Sequence, residues 1–209
     1  PKDTPDWGPP PYEQIEDGKG LQTTSGKIEF ESSSLKRFDP SDEERPPLPR
    51  YIPSWEGHQT ASLYQKYPLQ MVSPHPRFSF HTMGDAKGSW MNEVKDHRVL
   101  VNGYYYWIMR INTEDAIKRG IKNNDLVRAY NDRGSVILAA QVTERVPPGT
   151  VHSYESCAEY DPVGKPGESP DRGGCVNILT PSRYISKNAC GMAPNSCLIE
   201  IEKYKESMK

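Results

Sequence analysis

The chain has 209 residues, with 26 basic and 28 acidic side chains mixed throughout and a formal net charge of −2, so no stripe of Lys and Arg points to a nucleic-acid partner. No apolar run approaches the length needed to span a bilayer, and the start lacks the charged-then-apolar pattern of a signal peptide. The length allows one domain with a sizeable core plus an extension.

Ten of the 20 prolines fall in the first 53 residues, among charged and polar neighbours with few apolar runs. Such a segment cannot pack a core of its own. Residues 1–64 are therefore expected to be an extended Pro-rich arm from a preceding domain, and residues 65–209 a mainly β domain with short helices. The first residue is Pro1, not Met, so the sequence is expected to be a piece of a longer one. The four cysteines, Cys157, Cys175, Cys190 and Cys197, stand alone without metal-ligand spacing, and read as buried or half-buried thiols of a reducing, cytoplasmic compartment.

Along the domain, Tyr67–Val72 reads as a strand leading into the Pro-rich stretch Ser73–Thr82, and the aromatic run Tyr104–Trp107 as a half-buried strand. The clearest pattern runs from Arg110 to Thr150. Asn112 is placed to cap a short helix over Thr113–Arg119, with Asp115 answering three residues on, and Gly120 stands at the left-handed position that ends it. Asp125–Tyr130 and Ser135–Val142 are rich in β-branched and apolar residues, and Asn131-Asp132-Arg133-Gly134 between them is expected to supply the positive-φ positions of a hairpin. Pro147-Pro148-Gly149 marks a further turn. His152, Tyr154 and Ser156 alternate as one face of a strand, Asp161-Pro162 initiates a turn, and the last strand begins at Cys197.

This order, with these residues, resembles the C-terminal domain of the molybdopterin-dinucleotide oxidoreductases, the dimethyl sulfoxide reductase family. The likeness rests on Asn112, Asp115-Ala116, Gly120-Ile121, Asn124-Asp125-Leu126-Val127 and Arg133-Gly134. Thr24–Glu29, Ser73–Thr82 and Val176–Thr180 agree as well, so the matching blocks span nearly the whole chain. The resemblance implies a six-stranded double-psi β-barrel that binds part of bis(molybdopterin guanine dinucleotide) with molybdenum. It also implies that the remaining domains of the same large subunit supply the metal ligand and the acid–base residues, so that no catalytic and no metal-ligating residue is expected here. Within the family, the details favour a parent enzyme that moves hydroxyl groups between polyhydroxylated benzenes, with a sulfoxide or N-oxide reductase as the alternative. A small subunit carrying iron–sulfur clusters and a small-molecule substrate are the further partners the family implies.

The cofactor contacts are expected on two stretches. In Ser73–Thr82 the two prolines restrict the backbone, so that histidine, arginine and hydroxyl groups are presented with little entropy loss, as a fused-ring heterocycle and a diphosphate require. The resemblance selects Ser73, Pro74, His75, Pro76, Arg77, His81 and Thr82 there. Asn177 follows the Gly173-Gly174 turn and carries both a donor and an acceptor, which suits the edge of a pterin or guanine ring; the resemblance adds Asn195. If these residues form a site, the Ser73–Thr82 stretch and the turn before Asn177 meet at one polar groove. Two rival readings are a non-catalytic β-barrel interaction module and a hydrolase built on His152, Glu155 and Asp161 with Ser153, Ser156 or Cys157 as nucleophile.

Overall fold

The structure is a computed structural model that describes residues 16, 18, 20, 21, 23–79, 90–155, 159–192 and 197–205. The chain divides into two compact units, Pro1–Ile52 with Tyr184–Gly191, and Pro53–Arg183 with Met192–Lys209.

In the first unit the described elements are the helix α1, Ser33–Phe38, and the ribbon strands β7, Tyr184–Ser186, and β8, Ala189–Met192, whose last residue, Met192, falls in the second unit; β7 and β8 pair with each other. Ser32 caps α1 by accepting the Leu35 N–H, and the helix buries none of its side chains. Hydrogen bonds from Asn188 Nδ2 to Asp39 (2.7 Å) and to the buried Asp42 (3.1 Å) tie the turn of the ribbon to the stretch after α1.

The second unit is a β-barrel. Its strands are β1 (Leu69–Val72), β2 (Arg98–Val101), β3 (Tyr104–Ile111), β4 (Leu126–Asn131), β5 (Gly134–Val142), β6 (Thr150–His152) and β9 (Leu198–Lys203). The hydrogen-bonded order β3-β5-β4-β9-β1-β6 returns to β3 through a β3–β6 pairing, which closes six strands and leaves β2 as an outer partner of β3. Two pairs are parallel, β1 with β6 and β3 with β5, and the other four contacts of the ring are antiparallel. This is the double-psi barrel the resemblance implies; closure removes the free sheet edges.

Period-two alternation places the core. Leu69 and Met71 of β1, Trp107, Met109 and Ile111 of β3, Val127 and Ala129 of β4, Val136, Leu138 and Ala140 of β5, and Ile199 and Ile201 of β9 fill one buried cluster. The opposite faces of β3, β4 and β5 contribute Tyr106, Leu126, Ile137 and Ala139 to a second, smaller cluster that β2 covers with Val99 and Val101. Hence β3 and β5 are buried on both faces and read as nearly continuous apolar runs.

Several local expectations change in the folded chain. The helix α3 is Thr113–Lys118, after the short α2, Ala61–Lys66; Asn112 caps it by accepting from the Glu114 N–H at 2.9 Å, and Gly120 has φ +64° as expected. Asp115 does not complete a capping box. It is buried, and its Oδ2 accepts the Gly149 N–H at 2.6 Å, because the Pro147-Pro148-Gly149 turn packs against the first turn of α3 and has an unmet donor there. None of Asn131, Asp132, Arg133 and Gly134 has a positive φ. The turn is instead closed by the Asn131 side chain, whose Oδ1 accepts the Arg133 N–H at 3.0 Å. The positive-φ hairpin lies elsewhere, at Asn102 (+50°) and Gly103 (+79°) between β2 and β3. The strand expected to run through Ser156 ends at His152, and Ser156 lies outside the described residues.

Candidate functional site

The stretch after β1 is anchored to the chain that follows β6. The Ser153 N–H donates to the Val72 carbonyl and the Glu155 N–H to the Pro74 carbonyl, both at 3.1 Å, so the parallel pairing of β1 with β6 continues into irregular backbone. Ser73 and Pro76 are buried, whereas His75 and Arg77 are exposed. His75 Nδ1 lies 2.6 Å from Glu155 Oε1, a carboxylate that is itself largely buried. The Arg77 guanidinium stacks 5.2 Å from the centre of the Phe78 ring. Ser79 Oγ is buried and has no hydrogen-bond partner among the described residues. His81, Thr82 and Asn195 lie outside the described residues.

Asn177 sits on a short 3-10 helix, Val176–Leu179, with its side chain exposed. Its carbonyl accepts from Thr180 Oγ1 at 2.9 Å and from the Thr180 N–H at 3.2 Å, which folds Thr180 back beside it. The 3-10 helix is positioned by Asp171, which sequence reasoning missed. This wholly buried carboxylate accepts three backbone N–H groups, of Asp161 (2.7 Å), Gly173 (3.0 Å) and Cys175 (2.7 Å). Its own backbone pairs with Ser135 and Ile137 of β5. The local signal was an Asp two residues before a glycine, the pattern of an Asx turn.

Gly174 completes the support. It has φ +94°, and a Cβ there would lie 2.4 Å from the Trp107 Cβ, so only glycine fits. Trp107 is itself wholly buried and donates its indole N–H to the Tyr154 carbonyl at 2.8 Å, next to Glu155.

These supports converge on a groove of about 400 Å³ lined by Glu155, Asn177, Thr180, Pro181, Ser182 and Met192. Glu155 lines this groove beside the 3-10 helix and also pairs with His75 of the loop after β1. None of the described loop residues 73–79 lines the groove itself. A carboxylate, an amide and two hydroxyls in a space of this size match the mixed donor and acceptor edge of a single heterocycle. The unpartnered Ser79 hydroxyl adds a donor in the neighbouring loop. The donor set therefore fits part of a pterin or guanine dinucleotide.

The rival acid–base grouping does not assemble. His152 Nδ1 lies 3.0 Å from Arg110 Nη1, and burial, with the Arg110 charge second, pushes its pKa below the usual imidazole range. Asp161 Oδ2 accepts from Tyr104 Oη (2.7 Å) and Arg172 Nε (3.1 Å), while Glu155 is engaged with His75. Ser153 Oγ is buried and donates to the Ile108 carbonyl at 2.8 Å, and Cys157 lies outside the described residues. Among the described residues no three His, Cys, Asp or Glu side chains group as a metal site, and no helix is long and apolar enough to cross a membrane.

A family model described as Molydopterin dinucleotide binding domain matches residues 69–198. The chain is 66% identical over 206 residues to the large subunit of pyrogallol hydroxytransferase from Pelobacter acidigallici, covering 97% of this chain and 23% of that protein. It is 35% identical to trimethylamine-N-oxide reductase from Haemophilus influenzae and 38% identical to a dimethyl sulfoxide reductase from Escherichia coli, in each case over 88% of this chain and 21% of the relative. Among solved structures, acetylene hydratase from Pelobacter acetylenicus superposes with a TM-score of 0.59 at 16% identity, over 88% of this chain and 24% of that one, a likeness of fold. The chain thus spans between a fifth and a quarter of the length of the curated relatives it matches.

Proposed function

The chain belongs to the molybdopterin dinucleotide binding domain family, and on that premise we propose that it forms one wall of a bis(molybdopterin guanine dinucleotide) site in a much longer molybdenum enzyme. The proposed contacts are Ser73, Pro74, His75, Pro76, Arg77, His81, Thr82, Asn177 and Asn195. The observation that carries the reading is that Glu155 lines the polar groove beside the 3-10 helix and pairs with His75 of the loop after β1. In this role Asn177 and Thr180 present an amide and a hydroxyl to a ring edge, and Arg77 and His75 present cationic or neutral donors to phosphate oxygens. When bound, the cofactor supplies the metal-centred chemistry; the barrel binds it, orients it and excludes water from that side.

The parent reaction in this proposal is hydroxyl transfer between polyhydroxylated benzenes, with pyrogallol as a substrate. The support is the 66% identity to pyrogallol hydroxytransferase, against 35% and 38% for the N-oxide and sulfoxide reductases. Residues 1–64 are taken as an arm that lies on other domains of the same subunit, and residues 65–209 as the cofactor domain. The exposed Ile28, Phe30, Phe38, Leu48 and Tyr51 support that placement of the arm, since isolated domains do not concentrate large apolar side chains at the surface without a partner. A small iron–sulfur subunit and a cytoplasmic location complete the proposal. The second is supported by the exposed Cys190 and the buried Cys197, neither of which is in a disulfide.

The test is metal and pterin analysis of the purified parent protein, followed by product analysis with pyrogallol and, separately, with a sulfoxide and an N-oxide. Molybdenum with guanine dinucleotide, and rearranged benzenetriols from pyrogallol, are expected. A protein without pterin overturns the cofactor role, and reduction of the sulfoxide or N-oxide without action on pyrogallol overturns the substrate.

A further inference from the structure

One backbone carbonyl near the groove collects an unusual set of donors. Leu179 O, at the end of the 3-10 helix that carries Asn177, accepts from Arg133 Nε (2.6 Å), Asn131 Nδ2 (2.8 Å) and Cys197 Sγ (3.1 Å). Burial pushes the Cys197 thiol up to about 11, so at neutral pH it keeps the proton it donates. The three donors come from two distant places, the β4–β5 turn and the residue before β9. Asn131 Nδ2 also reaches the Leu198 carbonyl at 3.1 Å.

Arg133 is held in turn by Glu56, whose two carboxylate oxygens take both terminal nitrogens of the guanidinium at 2.7 and 2.8 Å. Glu56 Oε2 also accepts the Leu198 N–H at 3.0 Å. This two-point fork leaves Nε directed by geometry instead of by chance. Gly134 adds contact, because a Cβ there would lie 2.6 Å from Ile178 Cγ2; the turn therefore packs directly on the 3-10 helix. The arrangement exceeds what closing a two-residue hairpin needs, since Asn131 Oδ1 already closes the turn through the Arg133 N–H.

We propose that Arg133 is a positioning residue of the dinucleotide site, acting with Asn131 and Glu56 through the Leu179 carbonyl to hold Asn177 and Thr180 at the groove. The same clamp engages the Cys197 thiol, which donates to the Leu179 carbonyl. This inference rests on the groove reading above, and its ligand is the dinucleotide portion of the cofactor. Arg133 itself has no need to touch the ligand.

The experiment is a double-mutant cycle in the full-length holoenzyme with Arg133→Gln, Asn177→Ala and the double variant. The measurement is the half-time for loss of guanine dinucleotide per polypeptide, read after timed gel filtration, together with molybdenum content. Each single variant is expected to shorten the half-time about tenfold, and the double variant to be no faster than the quicker single, because both remove the same ordered contact. A general weakening of the barrel gives multiplicative effects, about a hundredfold in the double variant, and overturns the inference; so does wild-type retention in Arg133→Gln. If Asn177→Ala retains the dinucleotide like the wild type, the groove reading fails, and the inference with it, which separates the two failures. Should Arg133→Gln not fold, Glu56→Gln releases the fork while keeping shape, and the same cycle with Asn177→Ala gives the same decision.

Discussion

Replacing Gly174 by Ala sets two costs against one small gain. At φ +94° an L-residue carries about 1–2 kcal/mol of backbone strain. The added Cβ meets the Trp107 Cβ at 2.4 Å and Cγ at 3.0 Å, atoms next to the backbone of a wholly buried strand that cannot swing away, and overpacking of this kind costs about 1–3 kcal/mol. Loss of glycine freedom in the unfolded chain returns about 0.4–1 kcal/mol. The net is about 1–4.6 kcal/mol, or about a 5- to 2000-fold rise in local opening at about 1.4 kcal/mol per tenfold. Gly149 is the control, with φ +79° and nothing within 4 Å of its would-be Cβ, so Gly149→Ala carries the strain alone, about 0–1.6 kcal/mol net, and is expected to change opening by about 14-fold or less. Hydrogen exchange of peptides from β3 and from residues 171–180 in the parent protein reads both. If Gly174→Ala exchanges within about fivefold of Gly149→Ala, Trp107 yields more easily than its burial implies and the argument for glycine at 174 is wrong.

Asp171→Asn keeps shape but turns one acceptor into a donor facing a backbone N–H, so the 159–176 segment is expected to open about 5- to 150-fold more often, for about 1–3 kcal/mol lost; unchanged exchange there would show that Asp171 is dispensable. His152 titrates at lower pH folded than unfolded, so the unfolded chain binds the extra proton as pH drops. Its contribution is full above the unfolded value near 6.5 and is lost as pH falls from there through the folded value. Exchange from β6 at pH 7.5 and 5.5 should thus differ more in the wild type than in His152→Asn, and equal differences refute the assignment. Cys197 is wholly buried with its thiol pKa near 11, so alkylation at pH 8 should spare it until the barrel unfolds; rapid labelling of its peptide in the native protein would contradict that.

Much of the barrel is written in local patterns. Alternation along β3, β4 and β5 and the Asn112 cap with Gly120 are properties of neighbouring residues, and they are legible because each element answers to its own period and termini. Asp115 and Arg133 were legible only as residue types. Asp115 stood where a capping partner belongs, yet its carboxylate was claimed by the Gly149 N–H, 34 residues away in sequence; Arg133 stood in a turn, yet its side chain joins Glu56 to Leu179. Buried polar groups take whichever partner the fold brings near, and unmet donors are too costly to leave.

The candidate site divides along the same line. Pro74 and Pro76 around His75, and Asn177 after two glycines, are local features that single out chemistry without a structure. That His75 pairs with Glu155, a residue of the groove beside Asn177, depends on β1 pairing parallel with β6, which brings Glu155 beside Pro74 and His75. By itself the sequence determined most element types, the left-handed Gly120 that ends α3, the family, and the residue types fit for a heterocycle and phosphates. Only the tertiary structure decided which strands close the ring, which carboxylate meets which donor, and that Asp171, Gly174 and Arg133 pack or hydrogen-bond around the 3-10 helix and its approach. Steric and propensity terms act over a few residues, whereas strand pairing and the satisfaction of buried polar groups are settled by contacts made across the whole chain.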